Sequence, residues 1–240
     1  MRRGFAHILI IILVLVVVGI AAVMFLGPRR KFSDSTPSAP LVTYNLGINF
    51  DDFELTDIDL TEYNNKIFLE YGETLVTNRG SFTFPHPYYI LPPGTKIIAV
   101  TDGTVKEIRY QEHTDDYSLV INTPSGWTID HDHVGNTKVK KGDKVSAGQV
   151  IAEVKKSNGY IGQFDLGFTE IMIFADSGPS ENPLTACLYN LLDESVKSSL
   201  HAQIYDFAAK WEEFRGDKNI YDEDSWESPG CIVNEMVDPG

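Results

Sequence analysis

An uninterrupted apolar run near the amino end is the feature that most limits how this chain can fold. All 19 residues from Ile8 to Leu26 are apolar or glycine. A helix of this length rises about 1.5 Å per residue and spans roughly 28 Å, which is close to the hydrocarbon thickness of a bilayer. We therefore expect residues 1–27 to form a single-pass transmembrane anchor at the cell membrane, with the lipid bilayer as the partner of residues 8–26.

A cleaved signal peptide is the alternative interpretation of this run. The apolar core of a signal peptide usually has about 7 to 15 residues and ends in small residues at the cleavage site. Here bulky Met24, Phe25 and Leu26 lead into Gly27, which favours an uncleaved anchor. Basic residues lie on both sides of the run, so the positive-inside rule does not decide its orientation.

Charge and composition restrict the partners of the remaining chain. The whole chain has 34 acidic and 20 basic side chains, giving a formal net charge of -14. Nucleic-acid affinity depends on Lys and Arg meeting phosphate, so we expect no nucleic-acid partner. Residues 28–40 are polar and rich in Ser and Pro, which predicts a flexible linker.

Short strand-like segments separated by turn residues predict a mainly β domain with an antiparallel sheet over residues 41–183, with its core at 82–175. Asp102-Gly103 follows one such segment and predicts a tight hairpin. The strand at 127–134 alternates with period two, which places His131 and His133 together on its apolar face.

Several motifs of this β segment resemble the core of the lysostaphin/LytM-type zinc endopeptidases, which cut peptidoglycan cross-bridges. The motifs are the turn Leu91-Pro92-Pro93-Gly94-Thr95, then His133, the run Gly142-Asp143-x-Val145-x-x-Gly148-Gln149, and Asn182-Pro183-Leu184 after Gly178. The resemblance implies a barrel-sandwich β fold, an extracytoplasmic domain, and peptidoglycan, a glycan or an envelope protein as partner. A biotinyl-type hammerhead shares the Gly-Asp-x-Val turn, but the chain has no Met-Lys-Met hairpin to carry its cofactor.

The same resemblance implies where zinc ligands should stand. The family's first His and Asp correspond to Phe84 and Tyr88, which cannot bind zinc, and only the mid-domain histidine is retained, as His133. The late His-x-His pair corresponds to Thr169 and Ile171, or to Phe168 and Glu170 if the register shifts by one residue. We therefore expect no zinc cofactor, no catalytic residue and a pseudoenzyme.

Three uses of the altered site remain open. One is a vestigial groove that binds a peptide or glycan, since rings and a few polar groups suffice for binding. A second is a purely structural remnant. The third is a metal-dependent endopeptidase with a rearranged zinc site, in which His86, a strand histidine and Glu170 form a His₂Glu set. The candidate groove residues are His86, Tyr88, His131, His133 and Glu170.

The carboxyl third of the chain has a helical pattern in place of the strand-like one. Apolar residues recur at three- and four-residue steps from Asp193 to Phe214, which predicts an amphipathic helix within a helical extension at 184–216. Asp193 can cap its start and Gly216 suits its end. Residues 217–240 are acidic and predict a solvated tail.

The only two cysteines, Cys187 and Cys231, fall in the extension and in the tail. If the domain lies outside the cytoplasm, a disulfide between them is the natural use, since oxidising compartments preserve such bridges. With a cytoplasmic domain they are two ordinary thiols.

Overall fold

The computed structural model describes residues 39–77, 80–156, 166–175 and 184–237. The expected anchor at 8–26 and nearly all of the expected linker lie outside these residues. Among the helices that are described, none has the length and apolarity needed to cross a membrane.

Antiparallel strands dominate the described chain, which confirms the prediction of a mainly β core. Nine strands form one sheet, in the order β1-β4-β11-β8-β7-β6-β9, with β10 pairing β5 and β8, and β2 and β3 form a separate hairpin. The strands are β1 (Phe68–Leu69), β2 (Thr74–Thr77), β3 (Gly80–Thr83), β4 (Tyr88–Leu91), β5 (Lys96–Ile98), β6 (Gly103–Gln111), β7 (Asp116–Asn122), β8 (Thr128–Gly135), β9 (Lys144–Val145), β10 (Val150–Val154) and β11 (Gly167–Phe174).

The expected hairpin at Asp102-Gly103 is wrong, because β5 pairs with β10 whereas β6 pairs with β7 and β9. Position 103 requires glycine because a side chain would not fit there. A Cβ there would lie 2.4 Å from the side chain of Ile121 and 2.9 Å from the carbonyl oxygen of Asn122. The dipeptide therefore marks a close approach of β6 to β7, which local turn statistics do not reveal.

The predicted amphipathic helix is confirmed as α1 (Glu194–Arg215). Asp193 caps it by accepting a hydrogen bond from the backbone N–H of Ser195, and Gly216 ends it in the left-handed conformation with φ of 69°. Within the expected helical extension at 184–216, the part before α1 forms a 3-10 turn over Leu188–Leu191. The buried face of α1 carries Ile204, Phe207, Ala208, Trp211 and Glu212.

The segment after the linker that contains Phe50 and Phe53 packs between α1 and the sheet. The ring of Phe207 on α1 lies 5.4 Å from Phe50 and 4.5 Å from Phe53 by ring centroids. Phe50 in turn lies 6.2 Å from Tyr89 of β4. Such edge-to-face and tilted ring contacts favour one packing arrangement of these rings, in addition to the stabilisation from burying their apolar surface.

The expectation of a solvated tail is wrong for the part that runs to Cys231. Tyr221 is buried, its ring stacks on Phe68 at 4.7 Å, and its hydroxyl exchanges hydrogen bonds with the backbone of Phe68 at 3.2 Å. Cys231 forms a disulfide with Cys187, with Cα atoms 6.3 Å apart. A high acidic fraction concealed the apolar side chains of this segment, which are spaced too irregularly to give a helix or strand pattern.

A buried ion cluster joins this segment to the residues just before β2. The ammonium group of Lys66 donates to Glu70 at 3.0 Å and to Glu73 at 2.8 Å, and the indole N–H of Trp226 donates to Glu70 at 3.1 Å. Burial raises the pKa of Glu70, and the neighbouring Lys66 offsets only part of that effect. Removing one partner would leave a buried charge uncompensated.

Replacing both cysteines by serine should lower the free energy of unfolding by about 4 kcal/mol, because the bridge closes a loop of 44 residues in the unfolded chain. Urea unfolding of the wild-type chain and the double variant measures this difference. Reductant should shift the wild-type midpoint and leave the variant unchanged. A wild-type midpoint that is insensitive to reductant would contradict a stabilising disulfide between Cys187 and Cys231.

Candidate functional site

One face of the central strands gathers most of the candidate side chains. Glu170 of β11 lies opposite Tyr88 of β4 on one side and opposite Asp132 of β8 on the other. Because directly opposed residues share a face of a sheet, these three side chains project to the same side. Thr169 and Ile171 project to the opposite, buried side.

A β-bulge in β8 adds a histidine to this face. Tyr117 pairs with Val134 and Leu119 with His131, so Asp132 and His133 together oppose a single residue of β7. His133 adopts φ of 56°, a left-handed conformation that non-glycine residues rarely take. The bulge thereby breaks the period-two alternation of the strand.

The prediction that His131 and His133 share a face is therefore wrong. His131 is fully buried opposite Leu119 and Ile171, and neither of its ring nitrogens has a hydrogen-bond partner among the described residues. Burial lowers the pKa of His131 to about 4. His131 is thus a neutral core residue and does not belong to the groove.

His133 is held by carboxylates on both sides of its ring. Its Nδ1 lies 2.8 Å from Oδ2 of Asp116, and its Nε2 lies 3.9 Å from Oδ2 of Asp132. Burial by itself lowers the pKa of His133, but the hydrogen bond to Asp116 and the nearby charges of Asp132 and Glu170 raise it above its ordinary value. Burial raises the pKa of Asp132, and His133 offsets only part of this.

His86 approaches the same face from the segment before β4. Its Nε2 lies 3.0 Å from Oε2 of Glu170. The contact is an ion pair by distance and not an aligned hydrogen bond, because neither ring nitrogen of His86 has a hydrogen-bond partner in the part of the chain that is described. Burial alone raises the pKa of Glu170, but the proximity of His86 and then of His133 brings it below its ordinary value.

Aromatic rings fill the space beside this polar group. Tyr88 stacks on Phe168 at 5.3 Å and on Tyr63 at 5.7 Å, with Phe84 at 5.5 Å from Tyr88. The ring of Phe168 also lies 4.3 Å from that of His133. Tyr88, Phe84 and Phe168 are all buried, so these rings are packed against one another and do not form an open platform.

The register decides between the two alignments of the late His-x-His pair. Phe168 and Glu170 share the face of Tyr88, whereas Thr169 and Ile171 do not. Of the positions where the resemblance places metal-binding or assisting side chains, Phe84, Tyr88 and Phe168 carry aromatic rings instead, and only His133 and Glu170 carry donors that bind metal. Zinc held in the family's arrangement does not fit these residues.

A different set of donors does converge here. The ligating atoms of Asp132, His133 and Glu170 all lie within 4.8 Å of one another. Asp132 and Asp116 were not candidates from the sequence, because alternation along β8 assigned Asp132 to the opposite face and nothing in the local pattern singled out Asp116. Asp165, another acidic residue near β11, lies outside the described residues.

Part of the chain is similar to a known family. The model of Peptidase family M23 matches residues 88–170, about a third of the chain, and this part is called the M23-type region below. No curated protein matches the chain.

Three solved structures illustrate the similarity. The catalytic domain of the antimicrobial peptidase lysostaphin from Staphylococcus simulans is 18% identical, with 53% of this chain and 93% of that chain covered and a TM-score of 0.39. A catalytic domain of the prophage-encoded M23 protein EnpA from Enterococcus faecalis is 23% identical over 47% and 84%, with a TM-score of 0.37. The SpoIIQ-SpoIIIAH pore-forming complex gives 16% identity over 67% and 97%, with a TM-score of 0.43.

His131→Leu should remove a part of the acid sensitivity of the fold. The folded-state pKa of about 4 lies below the ordinary value of 6.5, so the stability from the neutral ring is present above pH 6.5 and is lost as the pH falls toward 4. The loss amounts to about 3 kcal/mol. Unfolding free energies from pH 4 to 8 should be flatter for the variant than for the wild type.

The matched control is His113→Leu, at an exposed position, which should follow the wild-type curve. If His131→Leu retains the full wild-type slope between pH 4 and 6.5, His131 is not a buried neutral residue.

Proposed function

We propose that the chain is a catalytically inactive M23-type domain, anchored in the membrane by residues 8–26, that binds or scaffolds other molecules at the cell envelope. The observation that carries this proposal is the ring stack of Phe84, Tyr88 and Phe168. These side chains occupy positions that a zinc peptidase of this type needs for a ligand or an assisting histidine. The phenyl rings of Phe84 and Phe168 can neither bind the metal nor donate to a developing oxyanion, and Tyr88 is buried in the stack.

The groove retains chemistry that suits binding. His86, His133, Asp132 and Glu170 present nitrogen and oxygen atoms beside the edge of an aromatic cluster. Binding sites commonly combine an apolar lining with a few convergent polar groups. A peptide or glycan of the envelope is the ligand class that this combination fits.

The segments outside the M23 match support a scaffolding role. Tyr63 and Phe84 come from before the matched region and complete the ring stack around Tyr88. The disulfide and the Lys66 cluster fix the carboxyl segment to the residues that precede the sheet. A rigid additional layer of this kind presents a surface that a minimal peptidase domain does not have.

The alternative is a metal-dependent endopeptidase with a rearranged site, and one observation favours it: the convergence of Asp132, His133 and Glu170. The set differs from the expected His₂Glu arrangement, because His133 is the strand histidine and Asp132 stands in place of His86.

The purified full-length chain should not solubilise peptidoglycan, with or without added Zn²⁺, since Phe84, Tyr88 and Phe168 replace two expected zinc ligands and one of the two assisting histidines. Dye release from labelled peptidoglycan measures this, with lysostaphin as the positive control. Release that stops on addition of chelator and is absent from Glu170→Gln would establish the endopeptidase instead.

Deleting residues 1–27 should move the protein from the membrane fraction to the soluble fraction, because the apolar run provides the only expected anchor. Carbonate extraction of membranes followed by immunoblotting measures the partition. Lys31→Gln, in the linker next to the run, is a control that should remain membrane-bound. A full-length chain that is extracted by carbonate would contradict the anchor.

A further inference from the structure

We propose that Asp132, His133 and Glu170 bind a divalent cation of the Zn²⁺ type. His133 and Glu170 stand at positions that belong to the site implied by the family resemblance, whereas Asp132 does not, so the ligand set differs from that of the family. The inference deepens the proposed function by naming a ligand of the groove, and it does not require the chain to be a hydrolase.

The donor geometry is close to what such an ion needs. Zn²⁺ is bound at about 2.0–2.2 Å by imidazole and carboxylate, so neighbouring donors stand roughly 3.3 Å apart around it. Nε2 of His133 and Oδ2 of Asp132 are 3.9 Å apart, and every donor lies within 4.8 Å of the other two. Rotation of the two carboxylate side chains can close such gaps without moving the strands.

Each side chain is oriented by a partner outside the set. Asp116 holds Nδ1 of His133 at 2.8 Å and is itself held by the hydroxyl of Thr114 at 2.7 Å. This leaves Nε2 of His133 directed toward Asp132 and Glu170. The side-chain amide of Gln111 donates to Oδ1 of Asp132, while Oδ2 is the oxygen that faces His133. Carboxylate-oriented histidines and hydrogen-bonded carboxylates of this kind are typical of metal sites.

His86 supplies an independent indication. It is only 6% exposed, both of its ring nitrogens lack a hydrogen-bond partner among the described residues, and Nε2 is directed at Glu170 from 3.0 Å. A buried imidazole without such partners is costly. Binding of a cation by Glu170 would give His86 a defined role, either as a fourth ligand or as a donor to the ligating carboxylate.

The charge balance also favours a cation. Asp116, Asp132 and Glu170 bring three carboxylates to one buried face, where the imidazoles of His86 and His133 contact them. A divalent ion would neutralise the two ligating carboxylates, and Asp116 would keep its contact with Nδ1 of His133 while Nε2 binds the ion.

The test is titration of the full-length chain with ZnCl₂ by calorimetry after chelator treatment, together with elemental analysis after desalting. The wild type should bind one equivalent. Glu170→Gln and Asp132→Asn should each weaken binding at least tenfold, because each replaces a charged ligand by an amide. Asp116→Asn should weaken it about 10- to 100-fold through the orientation of His133.

Asp130→Asn is the matched control, since Asp130 lies two residues from Asp132 on β8, accepts a hydrogen bond from Ser118 at 2.8 Å, and is outside the set. It should bind Zn²⁺ as the wild type does. Circular dichroism verifies that each variant is folded, and Zn²⁺ should raise the melting temperature of the wild type but not of Glu170→Gln.

The proposal is overturned if the wild type binds no Zn²⁺, or if folded Glu170→Gln and Asp132→Asn bind it with wild-type affinity. Zn²⁺ bound in these ligands together with release of peptidoglycan fragments would leave the metal site standing and refute the non-catalytic function. Absence of both binding and release would refute the metal site alone.

Discussion

The register of three neighbouring strands determines what this face of the sheet can do. Tyr88, Glu170 and Asp132 oppose one another across β4, β11 and β8. The side chain of Phe168 therefore lies on the same face of the sheet, and that of Thr169 lies on the opposite face. A shift of one residue would exchange every one of these side chains for its neighbour. The packing of Phe168 between Tyr88 and His133 fixes the register.

The segments that flank the M23-type region pack against it. Tyr63 and Phe84 pack on Tyr88, and the aromatic cluster around Phe207 ties α1 to the amino-terminal segment. Burying a Lys-Glu-Glu cluster contributes little net stability, but it selects one arrangement because any other would leave a charge unpaired. The flanking segments therefore support the site by restricting the conformations of the aromatic rings packed around Tyr88.

The sequence predicted the elements with strong local signals. The capped helix α1 and the antiparallel β core were accessible, because caps and periodicity are local. The site was only partly accessible. Glu170 and His133 were candidates, but the bulge that turns His133 toward Asp132 and Asp116 depends on pairing with β7, which no pattern within β8 encodes. The burial of Tyr221 and Trp226 was missed for a related reason, since their partners are distant in sequence.

The most direct test of this account is a set of nuclear Overhauser effects from the ring of Phe168 in the folded chain. The register described here predicts contacts from Phe168 to the rings of both Tyr88 and His133, at centroid distances of 5.3 Å and 4.3 Å. Contacts from Thr169 and Ile171 to Tyr88, with Phe168 directed into the core, would contradict it, because the ring stack and the convergent donors would then both be lost.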